Sequence, residues 1–162
     1  MRPLRLGSPA GLLPVLAIIG ACAPEPEYLE ATVDGVSWQA EYATCFLSSD
    51  TTLWISGHRK TSSDTKTFIE LRYVPSAVGT YPLDGHGALG LFSDTDLSGW
   101  NTIDGWNTTD SVTGVVEVTE LDVARGRCTG TFSFVAVPAY GGAEDTVHVT
   151  NGSWSVEYSG RR

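Results

Sequence analysis

Between residues 29 and 158 the large apolar residues alternate with polar ones at a period of two. In Ile69-Glu70-Leu71-Arg72-Tyr73 the large apolar or aromatic residues take one parity and the charged ones the other. Phe132-Ser133-Phe134, Val147-His148-Val149 and Trp154-Ser155-Val156-Glu157-Tyr158 repeat the pattern. A strand places successive side chains on opposite faces, so this period predicts half-buried β-strands rather than helices. Strands are expected near 29–33, 36–47, 51–58, 66–74, 87–92, 111–121, 127–137, 145–150 and 153–158. Turn residues separate them. Asp34-Gly35 between Val33 and Val36 is a two-residue hairpin signal, and Asn151-Gly152 reads as another turn. No segment of this body carries an amphipathic helical period.

The expected fold is all-β: an antiparallel meander of about eight or nine strands, closing as a small lipocalin-like barrel or as a sandwich. Trp38, Phe46, Trp54, Phe132, Phe134 and Trp154 are its expected core aromatics. The chain has 162 residues, enough for one domain with a real core. Lys and Arg number 10 against 19 Asp and Glu, a net charge of -9. So few cations exclude phosphate-backbone binding as a main role, and no nucleic-acid partner is expected.

Residues 1–21 follow a different rule. Arg2 and Arg5 precede the apolar stretch 12–19, and small residues follow. That is the layout of an export signal, and the stretch is too short for a membrane span. Ile19-Gly20-Ala21-Cys22 resembles a bacterial lipobox. The resemblance implies cleavage before Cys22, a diacylglyceryl thioether on its sulfur and attachment to a membrane by that lipid. Ala23, where an inner-membrane retention signal has Asp, implies sorting to the outer membrane of a bacterial envelope. Residues 22–28 then form a Pro-rich tether of roughly 20 Å, and 29–160 the single folded domain.

A second resemblance covers most of that domain. Thr32-Val-Asp-Gly-Val-Ser-Trp38, Gly79-Thr-Tyr-Pro-Leu83, Gly130-Thr-Phe-Ser-Phe134 and Val149-Thr-Asn-Gly-Ser-Trp154 occur in that order. Together they are similar to a family of small secreted bacterial lipoproteins of unknown function, with a closing Trp where that family has Phe. The resemblance implies a lipid-anchored all-β domain and transfers no functional residue.

Candidate chemistry is sparse. Cys45 and Cys128 form an even pair, suited to a disulfide in an oxidising compartment or to two buried thiols. Residues 99–110 hold a six-residue tandem repeat, Gly-Trp-Asn-Thr-Ile-Asp and Gly-Trp-Asn-Thr-Thr-Asp. Trp100, Asn101, Trp106 and Asn107 could present apolar plates and amides to a sugar or other small ligand. The alternative is a long hairpin whose Trp residues pack and whose Asn and Asp serve turns. Asp94, Asp96 and Asp104 give a fragment of a calcium pattern without the closing Glu. His58, His86 and His148 match no metal or triad spacing, and the odd separation of Glu117 and Glu120 puts them on opposite faces of a regular strand. No catalytic residue, metal or cofactor is expected. The leading expectation is a non-enzymatic binding or structural domain of the envelope. A small-ligand or carbohydrate binder working through 94–110, and an envelope glycan hydrolase, are the alternatives.

Overall fold

The computed structural model describes residues 26–48, 51–98, 101–111, 113–122 and 124–159. Cys22 and Trp100 lie outside them. Eleven strands account for most of the described chain: β1 (Tyr28–Val33), β2 (Val36–Gln39), β3 (Tyr42–Leu47), β4 (Thr52–Lys60), β5 (Thr65–Pro75), β6 (Gly79–Leu83), β7 (Leu89–Asp96), β8 (Thr102–Asn107), β9 (Gly114–Asp122), β10 (Arg127–Gly141) and β11 (Val147–Ser159). The all-β expectation holds.

The strands form two layers. One runs β2-β1-β11-β10-β9-β6 and the other β3-β4-β5-β7-β8. Two long strands join them. The first part of β10 pairs with β9 and β11, and its last residues pair with β8. β11 ends beside β3 in a two-residue parallel contact, Tyr158 against Cys45 and Ser159 against Phe46; every other ladder is antiparallel. The sheet is compatible with the sandwich alternative, with β10 and β11 shared at its corners.

Between the layers lie Leu29, Trp38, Leu53, Ile55, Ile69, Leu71, Val116, Phe132, Phe134 and Trp154, all buried in one cluster. Packing among β9, β10 and β11 requires Gly130. A Cβ there would come within 2.2 Å of both the Glu117 carbonyl oxygen and the Trp154 ring. Trp154, the cross-strand partner of Gly130, can lie across β10 only because that position has no side chain.

The differences from the expected strands have local causes. The stretch 36–47 is two strands, because the chain crosses between layers at Ala40 and Glu41. Ala40 N–H donates to Leu29 of one layer and Glu41 N–H to His58 of the other. β6 lies outside the expected strands; it contains Pro82, and as the outermost strand of its layer it has one ladder, to β9, where an edge tolerates proline. Asn151-Gly152 is no turn. The segments 145–150 and 153–158 belong to one strand, β11, with a bulge at Asn151 (φ 50°) where both flanking ladders shift register. Asp34-Gly35, by contrast, is the expected hairpin turn, with φ 48° and 79° and Val33 paired with Val36. Two expected core aromatics are surface residues: Phe46 is 39% and Trp54 42% exposed.

Candidate functional site

Phe46 and Trp54 leave the core by parity. On β3, Ala43 and Cys45 face inward, so Phe46 faces out; on β4, Leu53 and Ile55 are fully buried, so Trp54 faces out. The two are direct cross-strand partners. On β5 the alternation breaks. Thr67, Ile69 and Leu71 point inward, as does Val74, so Arg72 and Tyr73 are consecutive outward residues. Leu53 pairs with Val74 and Ile55 with Leu71, leaving Trp54 opposite both Arg72 and Tyr73. This is a β-bulge, with Tyr73 at φ 58° and 57% exposed. By period two Tyr73 would have joined Ile69 and Leu71 inside.

These side chains surround a hollow of about 290 Å³ that Ser48 and Thr52 also line. The Arg72 guanidinium carbon lies 4.5 Å from the centre of the Trp54 ring. Arg72 Nε donates to Glu70 Oε2 at 2.6 Å, and its terminal nitrogen forms an ion pair with the same oxygen. Stacking on the indole and pairing with Glu70 hold Arg72 in one pose and leave the wall electrically neutral.

Backbone strain collects here. Four described non-glycine residues have positive φ: Asp34, Thr51, Tyr73 and Asn151. Asp and Asn accept the left-handed region readily, but a β-branched Thr and a bulky Tyr do so at a cost of about 1–2 kcal/mol each. Thr51 (φ 68°) adjoins Thr52, which lines the hollow, and Tyr73 lines it too. Strain at these two positions marks the hollow as a candidate site.

Beyond Tyr73 a second, more open hollow of about 460 Å³ shares Thr52 and Tyr73 and reaches Gly85, His86 and Leu89. The Asp84 carboxylate accepts the His86 and Gly87 N–H groups, which hold its pKa below the usual value and fix the turn. His86 Nε2 lies 2.8 Å from Asp110 Oδ1, with both side chains mostly exposed. A larger trough, about 730 Å³, runs over the outer face of the other layer. It is lined by Thr80, Glu117, Thr131 and Ser133 among others, and the aromatic beneath it, Phe132, is buried. Volume favours the trough. Exposed aromatic plates, convergent polar groups and strain favour the Trp54 hollow.

The described part of the repeat, residues 101–110, makes contacts within the fold. β7 and β8 form a hairpin with Phe92 opposite Trp106 and Asp94 opposite Asp104. Trp106 is half-buried, packs on Phe92 at 5.5 Å between ring centres, and donates from Nε1 to the Asp145 carbonyl at 2.6 Å. Asn107 lies between Leu91 and Val137 in the two ladders of β8. Asn101 Nδ2 donates to Asp96 Oδ2 at 2.5 Å, and Ser98 donates to the other Asp96 oxygen. Asp104 Oδ1 accepts from Gly142 N–H at 2.6 Å. Burial lifts the Asp94 carboxyl above the usual carboxylate range; a hydrogen bond from Thr67 opposes this and the Asp104 charge adds to it. Asp94 and Asp104 are adjacent, but among the described residues no three acidic, His or Cys side chains are placed to hold a metal ion.

The remaining candidates are scattered. His58 belongs to β4 and lies between Tyr42 (5.6 Å) and Phe68 (5.1 Å); burial and then Lys66 hold its pKa below the usual value, against Glu41. His148 is exposed. Glu117 and Glu120 share the outer face rather than opposite faces, because a bulge at Thr119 resets the parity: Glu117 pairs with Thr131 and Glu120 with Thr129. Cys45 and Cys128 are buried free thiols.

Fold and surface together define a compact two-layer β-domain with an aromatic hollow on one outer face. The chain belongs to the DUF6252 family, a domain of unknown function, whose model matches residues 25–155. No curated protein and no solved structure matches it.

Proposed function

We propose that this protein is a non-enzymatic, lipid-anchored binding domain of the bacterial envelope, and that the Trp54 hollow takes a neutral sugar ring. The observation that carries the reading is the grouping of Phe46, Trp54 and Tyr73, all substantially exposed, around one hollow beside Ser48 and Thr52. A pyranose has an apolar C–H face and a polar rim. Aromatic plates suit the face, and hydroxyls suit the rim. Arg72 is already matched by Glu70, and the chain is acidic overall, so an anionic ligand gains little here. Bulky side chains from both layers occupy the interior, which favours a surface site over a lipocalin-like internal one.

Anchoring rests on Arg2, Arg5, the apolar stretch and the lipobox-like Ile19–Cys22. Each buried lipid methylene contributes ~0.8 kcal/mol, and stable attachment takes more than one acyl chain. Metabolic labelling with a fatty acid tests this: label is expected on the wild-type chain and lost in Cys22→Ser, and label kept by that variant contradicts it. The binding reading is tested on an array of neutral and acidic oligosaccharides. Wild type is expected to retain a subset of neutral glycans that Trp54→Ala does not. Equal retention by both, or retention of acidic glycans only, contradicts it.

A further inference from the structure

Cys45 and Cys128 stand in different layers, on β3 and β10, and these strands share no ladder. Both are fully buried. The end of β11 runs past both: Val156 pairs with Cys128 and Tyr158 with Cys45. Each thiol is the chief influence on the other's pKa, and Trp154 Nε1 donates to Cys128 Sγ at 3.5 Å. Both side chains belong to one buried cluster, where a bridge would tie the two layers.

We propose that Cys45 and Cys128 are joined by a disulfide that fastens the two layers together, made during folding by exchange with an oxidised dithiol or glutathione disulfide. Either thiolate can attack first in the folding chain, and the step is written with Cys128 leading. The Cys128 thiolate attacks the oxidant's disulfide, forming a mixed disulfide and expelling one thiolate. Cys45 gives up its proton and attacks the Cys128 sulfur, releasing the oxidant's second sulfur as a thiolate. Two S–H bonds are lost, one S–S bond is gained, and the oxidant leaves as two thiols after protonation. Neither sulfur is reachable once the layers have closed, so the exchange belongs to the folding chain, and the finished bond resists reductants while the fold is intact. The bridge fixes β3 directly beneath Phe46, one wall of the hollow. It does not depend on what the hollow binds.

The test uses the full chain carrying Cys22→Ser, which leaves these two cysteines alone. It is unfolded, reduced, and refolded in a mixture of reduced and oxidised glutathione. The expected product has lost about 2 Da. It takes no iodoacetamide in denaturant before reduction and two equivalents after, and it melts about 10 °C above the reduced form. Cell-free synthesis in the same glutathione mixture gives the same count without a refolding step. Two alkylatable thiols without reduction, or glutathione adducts or disulfide-linked dimers in place of the internal bridge, overturn the proposal.

Discussion

Trp54 and Trp106 lie in the same layer and have opposite fates. Trp106 sits in a Gly-Trp-Asn-Thr repeat that looks like a binding loop, yet its indole N–H is committed to Asp145 and its ring to Phe92. Trp54 sits in an ordinary alternating strand, yet its ring is 42% exposed beside a hollow. The contrast shows that unusual composition marks a demand on the chain without saying which. A hairpin that must turn tightly and shelter an aromatic needs Gly, Asn and Asp as much as a ligand site does. Trp54, stacked under Arg72 opposite a bulge that puts Tyr73 in the left-handed region, keeps an exposed ring beside a hollow.

Substitutions can separate the two regions, beginning with the largest effect. Gly141 lies where β10 meets the hairpin, with φ 77°, and a Cβ there would fall 1.9 Å from the Ile103 carbonyl oxygen. Gly141→Ala should destabilise the fold by about 3 kcal/mol in urea unfolding. Trp106→Ala should cost about 2–3 kcal/mol in the same assay, through lost packing and a lost hydrogen bond, and leave glycan retention by the folded fraction unchanged. Trp54→Ala reverses the pattern: stability should fall by less than about 1 kcal/mol, since the ring is exposed and its contact with Arg72 is a surface one, while binding should weaken about tenfold or more.

The smallest effect concerns pH. The folded-state pKa of Asp94 is raised, so its contribution favours the fold at low pH and is lost as pH rises through that value. Asp94→Asn should therefore stabilise the protein at pH 7 by a few tenths of a kcal/mol, the site being half open to solvent, and should give no such gain at pH 3. Thermal unfolding at the two pH values measures the difference.

Much of the fold is legible in the residue pattern because burial acts one residue at a time. Leu53, Ile55, Ile69 and Leu71 alternate as a half-buried strand must, and Asp34-Gly35 supplies the positive φ pair of its turn. The bulges are not legible. At Thr119, Tyr73 and Asn151 the parity resets because of what the neighbouring strand does, and counting by two along one segment cannot detect it. Those resets moved Tyr73 outside, put Glu117 and Glu120 on one face and carried β11 past an apparent turn. Phe46 is different. Its alternation with Cys45 already places it outside, against the habit of assigning large aromatics to the core. The hollow was hidden because it needs one residue that parity exposes and another that only the bulge delivers.

The most direct measurement follows the indole N–H signals of Trp54 and Trp106 in a nitrogen–proton spectrum, assigned by Trp54→Phe and Trp106→Phe. Neutral gluco-, manno- and N-acetylglucosamine hexasaccharides are then titrated in. The Trp54 signal should shift with at least one of them while the Trp106 signal stays in place. A shift of Trp106 with Trp54 unmoved, or no shift of Trp54 with any of the three sugars, would contradict the assignment of the hollow as the binding site.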